Sequence, residues 1–508
     1  MSAALNMTIS SPATGQPCTQ HNLDAVPTLI VGLGPTGLSC ARFLARCGVP
    51  FAVTDNREHP PAIDALRAEQ NNCVISVGGF DAGLFEWARR VVISPGVSLQ
   101  EPLIIAARLR GIDIMGDIEL FARTAQAPVV AITGANGKST VTLLLAEMFK
   151  NAGKNVRVGG NIGTPALDLL EDDEPDVYVL ELSSFQLDST SSLDAAAAVV
   201  LNISPDHMDR YADISQYAAS KQSVYMHRGN DASIYDATTT DDATDNTTDD
   251  ITDDTTPAVA VINRDDVLVS AMSVWGRTVV SFGLAVPDDN NFGRIDVRHG
   301  DDAHGHYWLA RGTQRLMPVN DIAMVGEHNQ ANALAALALG EAMGLSMPTM
   351  LETLKTFTGL PHRLQHVAEI AGVTWLNDSK GTNVGATLAA IQGLTAPLVL
   401  IAGGQAKGAD FSSLYNAVKD KVRVIILLGE DAAVIEAALT GAAPVERVET
   451  MSAAVIKAND VAQPGDTVLL SPACASFDMF DGFAARGNAF MAAVSELPSF
   501  IHKEGAGS

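Results

Sequence analysis

"VVAITGANGKSTVTLLLAEMF" (Val129–Phe149) decides the architecture of this 508-residue chain. An apolar run ends in a glycine-tight turn, and a helical pattern opens at Lys138, Ser139 and Thr140. The usual phosphate loop has four residues between its glycines. Here only Ala135 and Asn136 separate Gly134 from Gly137, so the strict pattern fails. The physics survives. A strand, a turn with free N–H groups, a lysine and a hydroxyl at a helix start suit a nucleoside triphosphate with Mg²⁺. Gly134, Asn136, Gly137, Lys138, Ser139 and Thr140 are therefore the first candidate binding residues.

Outward from this turn, strands alternate with helices. "DVYVLEL" ends at Glu181, and "AAVVLNIS" leads into "PDHMDRY" with Asp206, His207 and Asp209. An acid directly after a buried strand is costly unless it meets a cation or opens onto a site. Glu181 and His207 at neighbouring strand ends can bind metal beside the Ser139 hydroxyl. Lys221 in "YAASKQSVY" reads, on its own, as a surface lysine. "HNQANALAALALGEAMG" is a strong helix with Asn329 and Asn332 on one face.

Upstream, "PTLIVGLGPTGLSCARFLARCGVPFAVTDNR" carries the glycine pattern of a diphosphate-binding turn at 32–37, with Asp55 at the end of the next strand. A nicotinamide site is one reading, a bare turn another. "RRVVISPGV" adds a strand ending at Pro95-Gly96, and "GDIELFARTAQAP" a helix and link. Downstream, "GLPHR" (Gly359–Arg363) marks a boundary, because Leu-Pro stops a helix. "LVLIAGG", "VRVIILLG" and "DTVLLSPA" make a third unit. Its polar turns, "NDSKGTN", "GGQAKGADF" and "SPACASFDMFDGFAARG", suit a carboxylate or a phosphate. Arg363 beside the boundary can reach a γ-phosphate across a cleft.

The expected fold is α/β in three domains with mostly parallel sheets. A tail at 1–26 precedes a Rossmann-like domain at 27–117, a phosphate-loop ATPase domain follows at 118–359, and a second Rossmann-like domain closes the chain at 360–508. Asp231–Thr256 holds nine Asp, nine Thr and no Lys or Arg, and is expected to be a disordered insertion.

Net charge is −26, which repels nucleic-acid backbones and disfavours a nucleic-acid partner. No apolar run is long enough to span a membrane, and the polar start shows no secretion signal. Five scattered cysteines (Cys18, Cys40, Cys47, Cys73, Cys474) form no CxxC pair, which fits idle thiols in a reducing cytoplasm.

"TGANGKST", "GGNIG", "ELSSFQL", "NISPDHMDRY", "GEHNQANALAALAL", "GLPHR", "NDSKGTN" and "LSPACASFD", in this order, resemble the Mur ligases of peptidoglycan synthesis. The resemblance runs from about Pro27 to Glu496. It implies a cytoplasmic, monomeric ligase that uses ATP to activate the carboxylate of UDP-N-acetylmuramoyl-L-alanine and then couples D-glutamate. Another amino-acid-adding member or a folylpolyglutamate-synthase-like ligase is the alternative.

The resemblance assigns Lys138, Glu181, His207 and Lys221 to catalysis. Two Mg²⁺ sites would use Ser139, Glu181, His207 and Lys221 as its carbamate. Asn329, Asn332, Arg363 and Asp378 join the ATP site. Gly34, Asp55, Gly96 and Asn161 face the UDP-sugar, which displaces the nicotinamide reading. Lys380, Thr382, Lys407, Ser476 and Phe483 face D-glutamate. Gln405 and Ala406 depart from the expected acid and glycine, which puts a role for position 405 in doubt.

Overall fold

The structure, a computed structural model, describes residues 24–170, 173–206, 208, 210–226, 258–274, 276–297, 307–394 and 397–498. His207, the Asp/Thr-rich stretch at 231–256, residues 1–23 of the tail and Cys18 lie outside the described residues.

Three sheets follow one another along the chain. The first has five strands, ordered Val74–Val77, Phe51–Asp55, Thr28–Val31, Arg90–Ile93 and Asp113–Gly116. All its pairings are parallel. Its two central strands are short apolar runs buried along their whole length, as expected where helices cover both faces.

The second sheet has nine strands. Its parallel part runs Thr278–Phe282, Val259–Asn263, Ala197–Val200, Val129–Thr133, Val177–Glu181 and Val156–Gly160. Phe292–Asp296 joins parallel to Thr278–Phe282, then pairs antiparallel with Tyr307–Arg311, which pairs antiparallel with Gln314–Pro318. The third sheet is ordered Gln365–Ile370, Val373–Asn377, Thr467–Leu470, Leu398–Ala402, Val422–Leu427 and Val445–Arg447, with only the first strand antiparallel.

The mixed α/β architecture with mostly parallel sheets is the expected one. The strands that sequence reading overlooked lie mainly at sheet edges. Val74–Val77 and Gln314–Pro318 contain exposed or half-buried residues. Edge strands are covered on fewer sides and so carry weaker apolar signatures.

In the first sheet Thr28–Val31 lies between strands reached by connections of opposite direction, and in the second and third Val129–Thr133 and Thr467–Leu470 are each inserted between two strands that are consecutive in the chain. Ligands in open α/β sheets bind outside the carboxyl ends of such strands. The glycine turn at 32–37, the phosphate loop and the "SPACAS" turn occupy those three places.

The joints between the units differ. One apolar core runs from Ile30 and Phe43 of the first unit, through Phe121 just beyond the boundary, to Tyr178 and Leu182 of the second. The Phe121 and Tyr178 rings meet edge to face, centroids 5.0 Å apart. Ser39 Oγ donates to Asp168 Oδ1 at 2.8 Å, and Arg46 donates to the carbonyls of Leu170 and Leu167. The third unit instead meets the second through polar links: Arg363 to Ser139, and Asn383 to Asn136 and Asp206. No described helix is long and apolar enough to cross a membrane.

Candidate active site

The helix Lys138–Asn151 starts at Gly137, whose φ of 85° is left-handed. A side chain there is excluded twice. The backbone conformation strains any L residue, and an added Cβ would come within 2.5 Å of Asn332 Oδ1. The helix Glu327–Ala342 therefore presses directly on the loop. Asn332 Nδ2 donates to Asn329 Oδ1 at 3.0 Å, and Asn329 Nδ2 donates to the Val325 carbonyl.

Asn202 was not singled out from the sequence, yet it fastens the loop. Its Oδ1 accepts from Asn136 N at 2.8 Å, its Nδ2 donates to Asn136 O at 3.0 Å, and its carbonyl accepts from Ala135 N at 2.9 Å. It follows a buried strand, as Glu181 ends one, and that position was the available signal.

Lys138 Nζ donates to the carbonyls of Gly134 and Ala135 at 2.8 and 2.9 Å, so the ammonium is folded over its own loop. Burial pulls its pKa below the usual lysine range; Glu181 opposes that shift and Arg363 adds to it.

Glu181 is 3% exposed. Its Oε1 accepts from Asn161 Nδ2 at 2.9 Å, while its Oε2 is buried with no hydrogen-bond partner. A buried carboxylate oxygen left unpaired is costly, and a cation is its natural partner. That orphaned oxygen, close to the Ser139 hydroxyl's loop, fits a hard divalent ion.

Lys221 is 1% exposed, not on the surface. Its Nζ lies 3.4 Å from Thr133 Oγ1 and 4.6 Å from the Tyr217 ring centroid. Burial, with the charge of Lys138, drives its pKa well below the ordinary value.

Arg363 Nη2 donates to Ser139 Oγ at 3.0 Å, so the third unit reaches the phosphate loop. Burial lowers its pKa, against Glu181 and Asp378. Its neighbours His362 and Leu364 both have positive φ, 63° and 43°. Non-glycine residues held in this region are strained, and such strain gathers at functional sites. Asp378 is buried, accepts from Ser471 Oγ at 2.7 Å, and is pushed up to about 7 by burial. Burial, then Arg363, lowers Lys380 to about 8.

A cavity of about 290 Å³ lies between the second and third units. Asn136, Gly137, Thr140, Asn329, Asn332, Arg363, Asp378 and Lys380 line it, as does the unforeseen Asn202. Gly134, Lys138 and Ser139 are not among its lining residues, though Ser139 accepts a hydrogen bond from the lining residue Arg363. In a chain of net charge −26, three cations gather here: beyond burial, Arg363 lowers the pKa of Lys138, and Arg363 and Lys138 together lower that of Lys380. A polyanion is what would relieve that repulsion.

A second cavity, about 330 Å³, lies between the first and second units and is lined by Ser94, Pro95, Phe185, Arg210 and Tyr211 among others. Arg210 stacks over Phe185 with its guanidinium carbon 4.3 Å from the ring centroid, and donates to the Val97 carbonyl and, at 3.5 Å, to that of Gly96. Gly34 caps the helix Pro35–Arg46. The Asp55 carboxylate is already engaged: it accepts from Leu33 N at 2.6 Å and pairs with Arg57. Its bond to Leu33 N braces the glycine turn. Asn161, besides its bond to Glu181, is exposed.

In the third unit, Lys380 Nζ sits 4.1 Å from the Phe483 ring centroid. Thr382 is half-buried, Ser476 is buried, and Lys407 is exposed over Phe477 at 5.5 Å. The main chain of Gln405 pairs with Ala475 in both directions, at 2.9 and 3.0 Å. Position 405 thus works through its backbone, which explains how it tolerates a departure in side chain.

Arg486 was overlooked from the sequence. It is 2% exposed and spends its guanidinium on Ser379, Gly403, Cys474 and Ala475. These are the three turns carrying Lys380, Lys407 and Ser476. Its role depends on contacts distant in the chain, and no local pattern signals it.

Three family models match: Mur ligase MurD-like, N-terminal domain, at residues 27–116; Mur ligase middle domain at 132–251; and Mur ligase, glutamate ligase domain, at 362–474. The chain is 50% identical over 477 residues to the UDP-N-acetylmuramoylalanine–D-glutamate ligase of Nitrosococcus oceani, covering 94% of this chain and 98% of that protein. It is 47% identical over 473 residues to the ligase of the same name from Pseudomonas aeruginosa, covering 92% and 98%. Among solved structures it resembles MurF from Acinetobacter baumannii (15% identity, TM-score 0.54, 92% and 90% covered). It also resembles the UDP-N-acetylmuramate-alanine ligase MurC of Thermotoga maritima (17% identity, TM-score 0.53, 92% and 98% covered). At such identities these two speak for the fold alone.

Proposed function

This chain belongs to the Mur ligase family, and on that footing we propose that it joins D-glutamate to UDP-N-acetylmuramoyl-L-alanine, with cleavage of ATP to ADP and phosphate. One observation carries the reading: Arg363 of the third unit meets Ser139 of the phosphate loop, beside a cavity whose cations suit a triphosphate. On this reading the reaction takes place in the cytoplasm, on a monomer.

A carboxylate resists attack by an amine because its oxygen is a poor leaving group. The L-alanyl carboxylate oxygen attacks the γ-phosphorus of ATP, the bond to the β-bridging oxygen breaks, and ADP departs. Lys138 leaves its loop carbonyls to offset phosphate charge, and Arg363 neutralises it from the opposite side. The D-glutamate nitrogen then attacks the acyl phosphate carbon. The tetrahedral adduct collapses with loss of phosphate, and the nitrogen's surplus proton passes to solvent. Holding three reactants across one cleft supplies about 7–11 kcal/mol of the barrier as proximity.

Mg²⁺, at two sites, supplies further charge neutralisation on the phosphates when bound. Ser139, Glu181, His207 and carbamylated Lys221 would hold it. Carbamylation adds CO₂ to the neutral Lys221 amine and releases one proton to water. We assign the second cavity, together with Gly34, Asp55, Gly96 and Asn161, to the sugar nucleotide. Lys380, Thr382, Lys407, Ser476 and Phe483 take D-glutamate.

The decisive experiment is phosphate release with UDP-N-acetylmuramoyl-L-alanine, ATP and a panel of amino acids. D-glutamate should support release, while L-lysine, meso-diaminopimelate and D-alanyl-D-alanine should not. Release with another member of the panel and none with D-glutamate would overturn the assignment.

Arg486 yields a second test. Arg486→Met should raise KM for D-glutamate at least about tenfold, since a charge-assisted hydrogen bond contributes roughly 1.5–3 kcal/mol. KM for ATP should stay within about threefold. Equal changes in both would show that Arg486 only stabilises the fold.

A further inference from the structure

The segment joining the first two units grips the segment that follows Glu181 at several points. Gly116 N donates to the Ser189 carbonyl at 3.0 Å, and an added Cβ on Gly116 would strike Ser189 Oγ. Asp117 Oδ2 accepts from Gln186 Nε2 at 3.1 Å. Glu119 Oε2 accepts from the backbone N–H groups of Ser191 and Ser192 at 2.6 and 2.8 Å. Both acids are almost fully buried, at 2% and 1% exposure. Two buried carboxylates at a domain joint are expensive features unless they fix something.

What they fix is visible in the next bonds. With its Nε2 held by Asp117, Gln186 is oriented so that its Oε1 accepts from Ser183 N at 3.1 Å and Ser183 Oγ at 3.2 Å. Gln186 N donates back to Ser183 Oγ. The one-turn helix Ser184–Leu187 is thereby locked, starting three residues beyond Glu181. Phe185, Asp188 and Ser189 of this segment line the 330 Å³ cavity. Asp188 in turn accepts from Tyr211 OH at 2.8 Å.

We propose that Asp117 is a positioning residue which, through Gln186, sets the wall of the sugar-nucleotide cavity and so the affinity for that substrate. The inference rests on the functional reading above, which assigns that cavity to UDP-N-acetylmuramoyl-L-alanine. Asp117 touches no reactant. It acts on the segment that does, and it ties that segment to the first unit, which forms the opposite wall with Ser94 and Pro95. One geometry of the joint then corresponds to one width of cavity.

The test is a double-mutant cycle with Asp117→Ala, Gln186→Leu and their combination, scored by KM for each substrate and by thermal melting. Asp117→Ala should raise KM for the sugar nucleotide about tenfold, with KM for ATP and D-glutamate within about twofold. Gln186→Leu should do the same from the other side. The double variant should be no worse than the poorer single, because both remove one link. Asp117→Asn keeps an acceptor for Gln186 and should stay within about threefold of the parent.

Additive effects in the cycle, or an unchanged sugar-nucleotide KM in Asp117→Ala, would overturn the proposal. So would an Asn variant as impaired as the Ala variant. If Asp117→Ala fails to fold, the Asn variant and Gln186→Leu still decide it. If the parent enzyme turns over and only the cycle fails, this inference alone falls. A parent without turnover on the sugar nucleotide removes the functional reading and this inference together.

Discussion

Lys138→Ala should lower turnover at least about a thousandfold, on the order of 4 kcal/mol of lost transition-state stabilisation. In the free enzyme Lys138 Nζ is bonded to the carbonyls of Gly134 and Ala135. It needs only to exchange those acceptors for phosphate oxygens. Burial already disfavours its charge, so charge developing on the transferring phosphoryl group is a better partner than anything present without it. Truncation removes a cation from a place where water cannot replace it. The fold should survive, because Asn202 still holds the loop through three hydrogen bonds. Phosphate release at saturating substrates, with a melting curve as control, measures this. A variant within tenfold of the parent would sink the proposed chemistry.

Lys221→Ala should cost at least about a hundredfold in turnover, roughly 2.7 kcal/mol. The reason differs from that for Lys138. Lys221 is buried beside Thr133 and Tyr217, where a cation is disfavoured twice: by desolvation and by the charge of Lys138. Its depressed pKa populates the neutral amine at lower pH than an ordinary lysine would. The neutral amine captures CO₂, and the resulting carbamate is an anion that a divalent ion and Lys138 both favour. The sign of the pH effect follows. Lowering the pH protonates the amine and reverses carbamylation, so the parent should lose activity on the acid side. Added bicarbonate should restore it in CO₂-depleted buffer. The Ala variant should not respond to bicarbonate. Full activity in Lys221→Ala, or no carbamate carbon signal after labelling with ¹³CO₂, would refute the role.

Much of the site was legible because its residues follow strands directly. Lys138, Glu181, Asp378 and Lys380 stand at or beyond the ends of apolar runs, and the parallel strands bring such ends to one edge of each sheet. Family resemblance rather than spacing lifted Lys221 out of an ordinary helix, and its burial bears on why a lysine there is unusual. Asn202, Arg486 and Asp117 stayed hidden because their partners lie 66, 107 and 69 residues away. Asp55 was legible as a position but not as a bond, since Arg57 two residues on engages it. The hairpin from Tyr307 to Pro318 was missed because its strands carry Arg and Gln at an edge.

The unequal joints have a thermodynamic consequence. The first two units share apolar surface, so separating them would expose it to water and amount to partial melting. The third is tied to the second by a few polar links, each contributing about 0.5–1.5 kcal/mol. Breaking such links exposes less hydrocarbon than parting the first two units would, since no buried apolar cluster is shared across this second joint among the described residues. The lasting work of cohesion therefore falls on the joint between the first two units, and the charged cleft is left with the weaker seam.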